Sequence, residues 1–286
     1  MIGLTQGDPA GVGPELARKV ARRVGPGTKL RLLGTRKIFR CGHPTRAGAE
    51  EALLALEESV RLLQKGQIQA VVNGPVAKEW LARAGFRFPG QTEFYARRFG
   101  CRPDGVTMCM VGPRLRIALA TTHVSLRRAV AGLTTQAILR AGLHLAELLK
   151  KLGVRKPRIA VCGLNPHASE GGLFGDEDRR IVRPAVRKLK AKTRLPFVGP
   201  EPADTVFHRA VRGEFDGVVA LYHDQGLIPA KLMDFDRTVN VTMGLPVVRC
   251  APDHGTAFGI AGQGKARPDS LTEAVKLAAR LARGKR

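Results

Sequence analysis

Apolar residues along this chain fall in short runs, separated by longer stretches where they recur every three or four positions. The runs at 1–5, 30–33, 70–73, 158–162 and 217–221 predict buried strands. Two more, 106–111 and 115–120, flank Gly112-Pro113 and predict a hairpin, and 238–242 and 246–249 read as further strands. The helical period predicts a helix over 13–23, with Pro14 in the first turn where its missing N–H is harmless. Ala52, Leu53, Leu56, Val60 and Leu63 predict a helix over 49–65, which Gly66 ends. A short helix follows Gly74-Pro75 through residue 84, and a long amphipathic one spans 134–151. The stretch 176–192 is acidic at its start and basic at its end, which suits the helix macrodipole. Ser270 and Glu273 have the spacing of a capping box for a final helix. Strand and helix alternate, so the expected class is α/β. No repeat, low-complexity tract or linker interrupts the chain, so two domains would share strands and be discontinuous in sequence.

The 286 residues are 44% hydrophobic and 25% charged, a globular balance. No apolar run approaches the roughly 20 residues of a membrane-spanning helix. The chain starts directly on a strand pattern, so no signal peptide is expected. Cys41, Cys101, Cys109, Cys162 and Cys250 lie far apart and are odd in number. Reduced thiols and a cytoplasmic location fit this better than a disulfide framework.

The formal charge changes the picture most. Forty-eight Lys and Arg stand against 24 Asp and Glu, for a net +24. Such an excess raises nucleic-acid binding, but the basic residues are scattered in twos and threes and aromatics make up only 5%. No helix-turn-helix, zinc-finger or RNP pattern is present. The expectation is a basic enzyme surface whose field attracts an anionic substrate, with no specific nucleic-acid partner and no membrane partner.

Candidate chemistry sits just past the strands, where open α/β sheets bind ligands. Gly7-Asp8-Pro9-Ala10-Gly11-Val12-Gly13 is a Gly-rich strand-to-helix turn that departs from both the P-loop and the G-x-G-x-x-G spacing. A tight structural turn explains it equally well on spacing alone. His123 follows strand 115–120, His167 follows 158–162, and His223 follows 217–221. A parallel sheet would bring all three to one edge, where neutral imidazoles can hold a divalent metal with open positions. His43, His144 and His208 lack this placement and read as surface or core-edge residues. Asp224 is a candidate partner of His223 or a proton acceptor, against the plainer role of a helix cap. Lys231 could bind an anion or move a proton, against that of a solvated lysine. Arg249 ends an apolar strand, where an unpaired charge is costly, so it should meet either an anion or a structural Asp. Finally, 253–268 carries Gly255, Gly259, Gly262 and Gly264 in a long irregular loop, a length usually tied to function.

Taken together, Gly7-Asp8-Pro9-Ala10-Gly11, Thr121-Thr122-His123, Leu164-Asn165-Pro166-His167, Tyr222-His223-Asp224-Gln225-Gly226 and Asp253-His254-Gly255-Thr256-Ala257 resemble the 4-hydroxythreonine-4-phosphate dehydrogenase family of pyridoxal phosphate biosynthesis. The first and last blocks are also similar to the wider isocitrate/isopropylmalate dehydrogenase superfamily. The resemblance implies two α/β domains sharing a central sheet, with the active site in the cleft. We place them at 1–125 with 245–286, and at 126–244, the latter including the dimerisation region. It implies a homodimer with sites near the interface, the metal being held by residues of both chains. His123, His167 and His223 would be ligands of one divalent ion (zinc, magnesium or cobalt). Gln91, Thr92, Lys231, Asn240 and Arg249 would contact substrate, with Lys231 or Asp224 acting as base. Asp253, His254, Gly255, Thr256 and Ala257 would bind the adenosine part of NAD or NADP. The family usually has His-Thr where this chain has Gln91-Thr92; Gln91 can donate a hydrogen bond but cannot carry charge.

The implied reaction is metal-assisted oxidation of the C3 alcohol of 4-phosphooxy-L-threonine. Its product, 2-amino-3-oxo-4-phosphooxybutanoate, is a β-keto acid that decarboxylates to 3-amino-2-oxopropyl phosphate. A related dehydrogenase of threonate or erythronate 4-phosphate is the near alternative. A nucleic-acid-binding protein on an enzyme fold is the remote one.

Overall fold

The computed structural model describes residues 1–25 and 27–284. The chain divides into two compact units, Met1–Pro103 with Val239–Arg286, and Asp104–Thr238. The seams lie at 103/104 and 238/239, whereas the boundaries drawn from the resemblance are 125/126 and 244/245.

In the first unit the chain runs β1 (Ile2–Thr5), α1 (Gly13–Arg23), β2 (Leu30–Leu33), α2 (Arg46–Gln64), β3 (Ala70–Val72), α3 (Lys78–Arg83) and α4 (Gln91–Arg98). It enters the second unit with β4 (Thr107–Val111), β5 (Arg116–Leu119), α5 (Leu126–Ala131), α6 (Thr135–Lys151) and β6 (Ile159–Cys162). That unit continues with α7 (Arg183–Thr193), β7 (Phe197–Glu201), α8 (Ala203–Val211), β8 (Gly217–Ala220) and α9 (His223–Asp234). The chain then returns to the first unit with β9 (Val239–Met243), β10 (Val248–Pro252) and α10 (Asp269–Arg283).

The first unit's strands lie in the order β2-β1-β3-β10-β9. All neighbours are parallel except β10 and β9, which pair Arg249 opposite Thr242. Its core gathers Leu56, Leu62, Ile68, Leu81, Phe94 and Tyr95 between α2, α4 and the sheet. Helix α10 packs on β10 and β3. The second unit's strands lie in the order β4-β5-β8-β6-β7, the antiparallel β4–β5 hairpin followed by parallel pairs. Pairing of β5 with β8 carries the hairpin into this unit.

Helix starts follow their local chemistry. Thr45 Oγ1 accepts from Gly48 N at 3.1 Å and Thr134 Oγ1 from Ala137 N at 3.1 Å, satisfying amides that the first helical turn leaves open. Two expectations are corrected. Residues 176–192 are not one α-helix: a π-type turn over Asp178–Val182 precedes α7, which starts with Pro184 in its first turn. Helix α10 begins at Asp269 behind Pro268, so Ser270 lies buried inside the first turn and is not its cap. All five cysteines are free thiols. No helix among the described residues is long and apolar enough to cross a membrane.

Candidate active site

In the first unit the informative side chains surround Arg249 on β10. The residue is only 4% exposed, and every hydrogen-bond partner of its guanidinium among the described residues is neutral. Nε donates to Asn73 Oδ1 at 2.7 Å, Nη1 to Thr242 Oγ1 at 3.2 Å and Nη2 to Gln91 Oε1 at 3.2 Å. Asn73 is fixed in turn by donating Nδ2 to the buried Tyr95 hydroxyl at 2.8 Å, and Tyr95 meets Ser59 Oγ at 2.6 Å. Burial holds the Arg249 guanidinium below its ordinary pKa. An Arg–Asp structural pair is therefore not what this residue makes. A buried cation whose hydrogen-bond partners are all neutral has room in its chemistry for an anion as a further partner.

The neighbouring predicted residues converge on the same strands. Gln91 and Thr92 open α4, and Thr92 Oγ1 lies 3.4 Å from Thr242 Oγ1. Asn240, on β9 two residues before Thr242, carries a buried Oδ1 with no hydrogen-bond partner. Asn73 and Thr242 were not singled out from the sequence. Asn73 ends the predicted strand 70–73, so the strand-end logic applied to the histidines would have found it.

The loop 253–257 lies against the Gly-rich turn. Val12 N donates to Thr256 O at 2.9 Å, and a Cβ on Gly11 would stand 2.9 Å from that same oxygen. Gly7, at φ 74°, leaves no room either, since a Cβ there would meet Pro75 O at 2.2 Å. These two glycines are thus required by close backbone approach. Asp8 in this turn is 2% exposed and accepts from Ala10 N at 2.9 Å; burial raises its carboxyl pKa, and that hydrogen bond offsets part of the rise. His254 Nδ1 is 3.0 Å from Gly255 O, an acceptor, so Nδ1 carries the proton and Nε2 is left as a bare acceptor. That Nε2 is buried without a partner. An adenine amino group is the kind of donor it lacks, so the loop fits the adenosine end of a nicotinamide dinucleotide.

In the second unit, β5, β8 and β6 are adjacent and parallel, so His123, His223 and His167 do follow neighbouring strand ends. Thr121 Oγ1 donates to Leu221 O at 2.8 Å, tying the root of His123 to that of His223. Gln225 is buried; its Oε1 accepts from Leu221 N at 2.7 Å and its Nε2 donates to Gly163 O at 2.8 Å, bridging the ends of β8 and β6. His223, the first residue of α9, places Nδ1 2.7 Å from Asp224 Oδ1. That contact leaves Nε2 to face a ligand. Asp224 is not the helix cap, since Tyr222 holds that position. The His123 and His223 rings are 5.5 Å apart and line a cavity of about 230 Å³ with Thr122, Leu126, Tyr222 and Asp224. Lys231 lies two turns further along α9, its Nζ 5.9 Å from the Phe235 ring centroid.

His167 does not join the other two. It opens a run of six residues with positive φ: His167 51°, Ala168 54°, Ser169 68°, Glu170 39°, Gly171 72° and Gly172 115°. Left-handed backbone costs roughly 1–2 kcal/mol for each L-residue other than glycine. A buried carboxylate holds the turn: Asp178 accepts from Leu164 N at 2.7 Å, Asn165 N at 3.1 Å and Ser169 Oγ at 2.7 Å. The His167 ring rests 6.2 Å from that of Phe174. Among the described residues, no group of three or more His, Cys, Asp or Glu is arranged to hold a metal ion. The His123–His223 pair fits two positions of such a site, and one chain does not assemble the three-histidine set.

Comparison with known proteins adds the family. The family described as pyridoxal phosphate biosynthetic protein PdxA matches residues 13–278. The 4-hydroxythreonine-4-phosphate dehydrogenase of Caulobacter vibrioides is 40% identical over 98% of this chain and 97% of its own length. The crystal structure of the enzyme of that name from Klebsiella pneumoniae superposes with a TM-score of 0.83 at 35% identity, covering 99% of both chains. Isocitrate dehydrogenase from Methylococcus capsulatus shares the fold, with a TM-score of 0.58 at 15% identity over 99% of this chain and 87% of that one.

Proposed function

We propose residue roles and a cofactor for a chain that belongs to the PdxA family of pyridoxal phosphate biosynthetic proteins and oxidises 4-hydroxythreonine 4-phosphate. The carrying observation is Arg249, a buried guanidinium among neutral partners. It receives the substrate's phosphate, with Gln91, Thr92 and Asn240 completing the hydrogen bonds. Gln91 adds a neutral amide to this group, so the positive charge there comes from Arg249.

The loop 253–257 takes the adenosine of NAD or NADP, with His254 Nε2 accepting from the adenine amino group. His123 and His223 hold a divalent metal (zinc, magnesium or cobalt), and His167 completes the set in a homodimer, where residues of two chains contribute. When bound, the nicotinamide supplies a hydride acceptor and the metal a Lewis acid for the alcohol and keto oxygens. Asp224 keeps His223 in the tautomer whose Nε2 is free. Lys231 in its neutral amine form, or Asp224, takes the hydroxyl proton as the C3 hydrogen departs with its electron pair. The β-keto acid then breaks its bond to the carboxylate carbon and releases CO2.

The test is reduced-nicotinamide formation from 4-hydroxythreonine 4-phosphate, with and without chelator, for the wild type and Arg249→Met. Losing a charged hydrogen-bond donor should raise KM about 10- to 100-fold. A KM unchanged in Arg249→Met would falsify the phosphate assignment. Full metal content in His167→Ala together with normal turnover would remove the three-histidine set.

A further inference from the structure

The second unit holds a cavity of about 560 Å³ between the left-handed turn, β7 and one face of α7, with His167 on its lining. Arg183, Arg187 and Lys190 line it. Their i, i+4, i+7 spacing puts all three on the same side of α7, where like charges repel. None of the three makes a hydrogen bond or ion pair to a carboxylate among the described residues.

Nearby carboxylates are already engaged. Glu201 pairs with Arg209, Asp176 with Arg180, Glu177 with the Asn165 amide, and Asp178 with the turn backbone and Ser169. Glu170 is the one acidic side chain on the lining. A concave surface carrying three cations against one carboxylate focuses a positive field into its volume. The three cations also spread over about 10 Å of helix axis. That is longer than a single phosphate, and the volume falls in the range of small-molecule sites.

We propose that this cavity binds a pyrophosphate-type anion, two or more linked phosphates whose oxygens meet Arg183, Arg187 and Lys190 together. The chemistry is the same for free pyrophosphate, a nucleoside diphosphate or the pyrophosphate bridge of a dinucleotide. Arg249, in the other unit, is a different anion site. Because His167 lines this cavity, the site adjoins the metal set proposed above; the titration below reads pyrophosphate binding and not turnover, so it can fail without that reading failing.

The experiment is calorimetric titration of the full chain with sodium pyrophosphate, then with ADP, NAD and inorganic phosphate. The Arg183→Ala/Arg187→Ala/Lys190→Ala variant should weaken pyrophosphate binding at least about tenfold. Glu170→Gln should tighten it several-fold, and because that change gains affinity, a damaged fold cannot imitate it. Arg249→Met should keep the component that the triple variant loses. Competition by ADP or NAD identifies which molecule supplies the linked phosphates, and competition by neither identifies the free anion. Pyrophosphate binding within twofold of wild type in the triple variant overturns the site. Equal affinity for phosphate and pyrophosphate overturns the linked-phosphate assignment.

Discussion

Arg249 and Asn73 meet through a 2.7 Å hydrogen bond from Nε to Oδ1, with the arginine only 4% exposed. The amide supplies a dipole and no countercharge. The folded chain therefore carries a desolvation penalty at the guanidinium, which a bound anion would offset. Phosphate should stabilise the wild-type protein by about 2.7 kcal/mol at a concentration 100 times its Kd. Arg249→Met should lose that increment while its ligand-free Tm stays level or rises. Thermal melts across a phosphate series check this, and an equal shift in the variant would refute it.

The turn at His167 depends on Asp178. Asp178→Ala removes an acceptor from two backbone amides and the Ser169 hydroxyl, and should cost about 3 kcal/mol in urea unfolding. Ser169→Gly should stay within about 1 kcal/mol of wild type. It loses one hydrogen bond but relieves an L-residue at φ 68°. If the glycine variant is as damaged as Asp178→Ala, the left-handed geometry is not the strained element described above.

Gln225 makes a different kind of support. Its side chain joins Leu221 N to Gly163 O beneath His223. Gln225→Leu should lower divalent-metal affinity about 10- to 100-fold, as loss of a ligand-orienting contact does. Zinc titration with a competing chelator reads this directly. Unchanged zinc affinity in a folded Gln225→Leu protein would show that the bridge does not position the imidazoles.

His144 sets a pH dependence. Its Nδ1 lies 2.7 Å from Thr107 Oγ1, and burial lowers its pKa from the ordinary 6.5. Below pH 6.5 the unfolded chain takes up a proton that the folded imidazole refuses. Stability is therefore complete above that pH and is lost as pH falls toward the folded value. His144→Gln should lose less stability between pH 7.5 and about 5.5 in urea melts. An identical loss in the variant would assign the effect to other groups.

Much of the fold was legible because β1, β3, β6 and β8 are fully buried runs, and such strands announce themselves by apolar density. Elements with internal breakers were not. Helix α9 contains Gly226 and Pro229, and β7 contains Gly199-Pro200, and the apolar pattern predicts an element at neither. At the site, strand ends correctly located all three histidines. That one chain does not bring His167 to the other two was not readable, because the left-handed turn is held by Asp178 through Leu164, Asn165 and Ser169. Arg249 was flagged as needing an anion or an Asp. Its neutral partners lie on α4, β9 and just past β3, and only the folded chain brings these together.

The cysteines give each unit its own clock. Cys250 sits buried on β10 in the first unit, its thiol pushed up to about 12 by burial. Cys109 and Cys162 are buried on β4 and β6 in the second, with thiols likewise raised. Cys41 is exposed and so is available to reagent from the start. A thiol-reactive label should therefore mark Cys41 at once and reach the buried three only when their strands open. Peptide mapping of the label over time separates the opening rate of one unit from that of the other, in the native sequence and without an introduced cysteine.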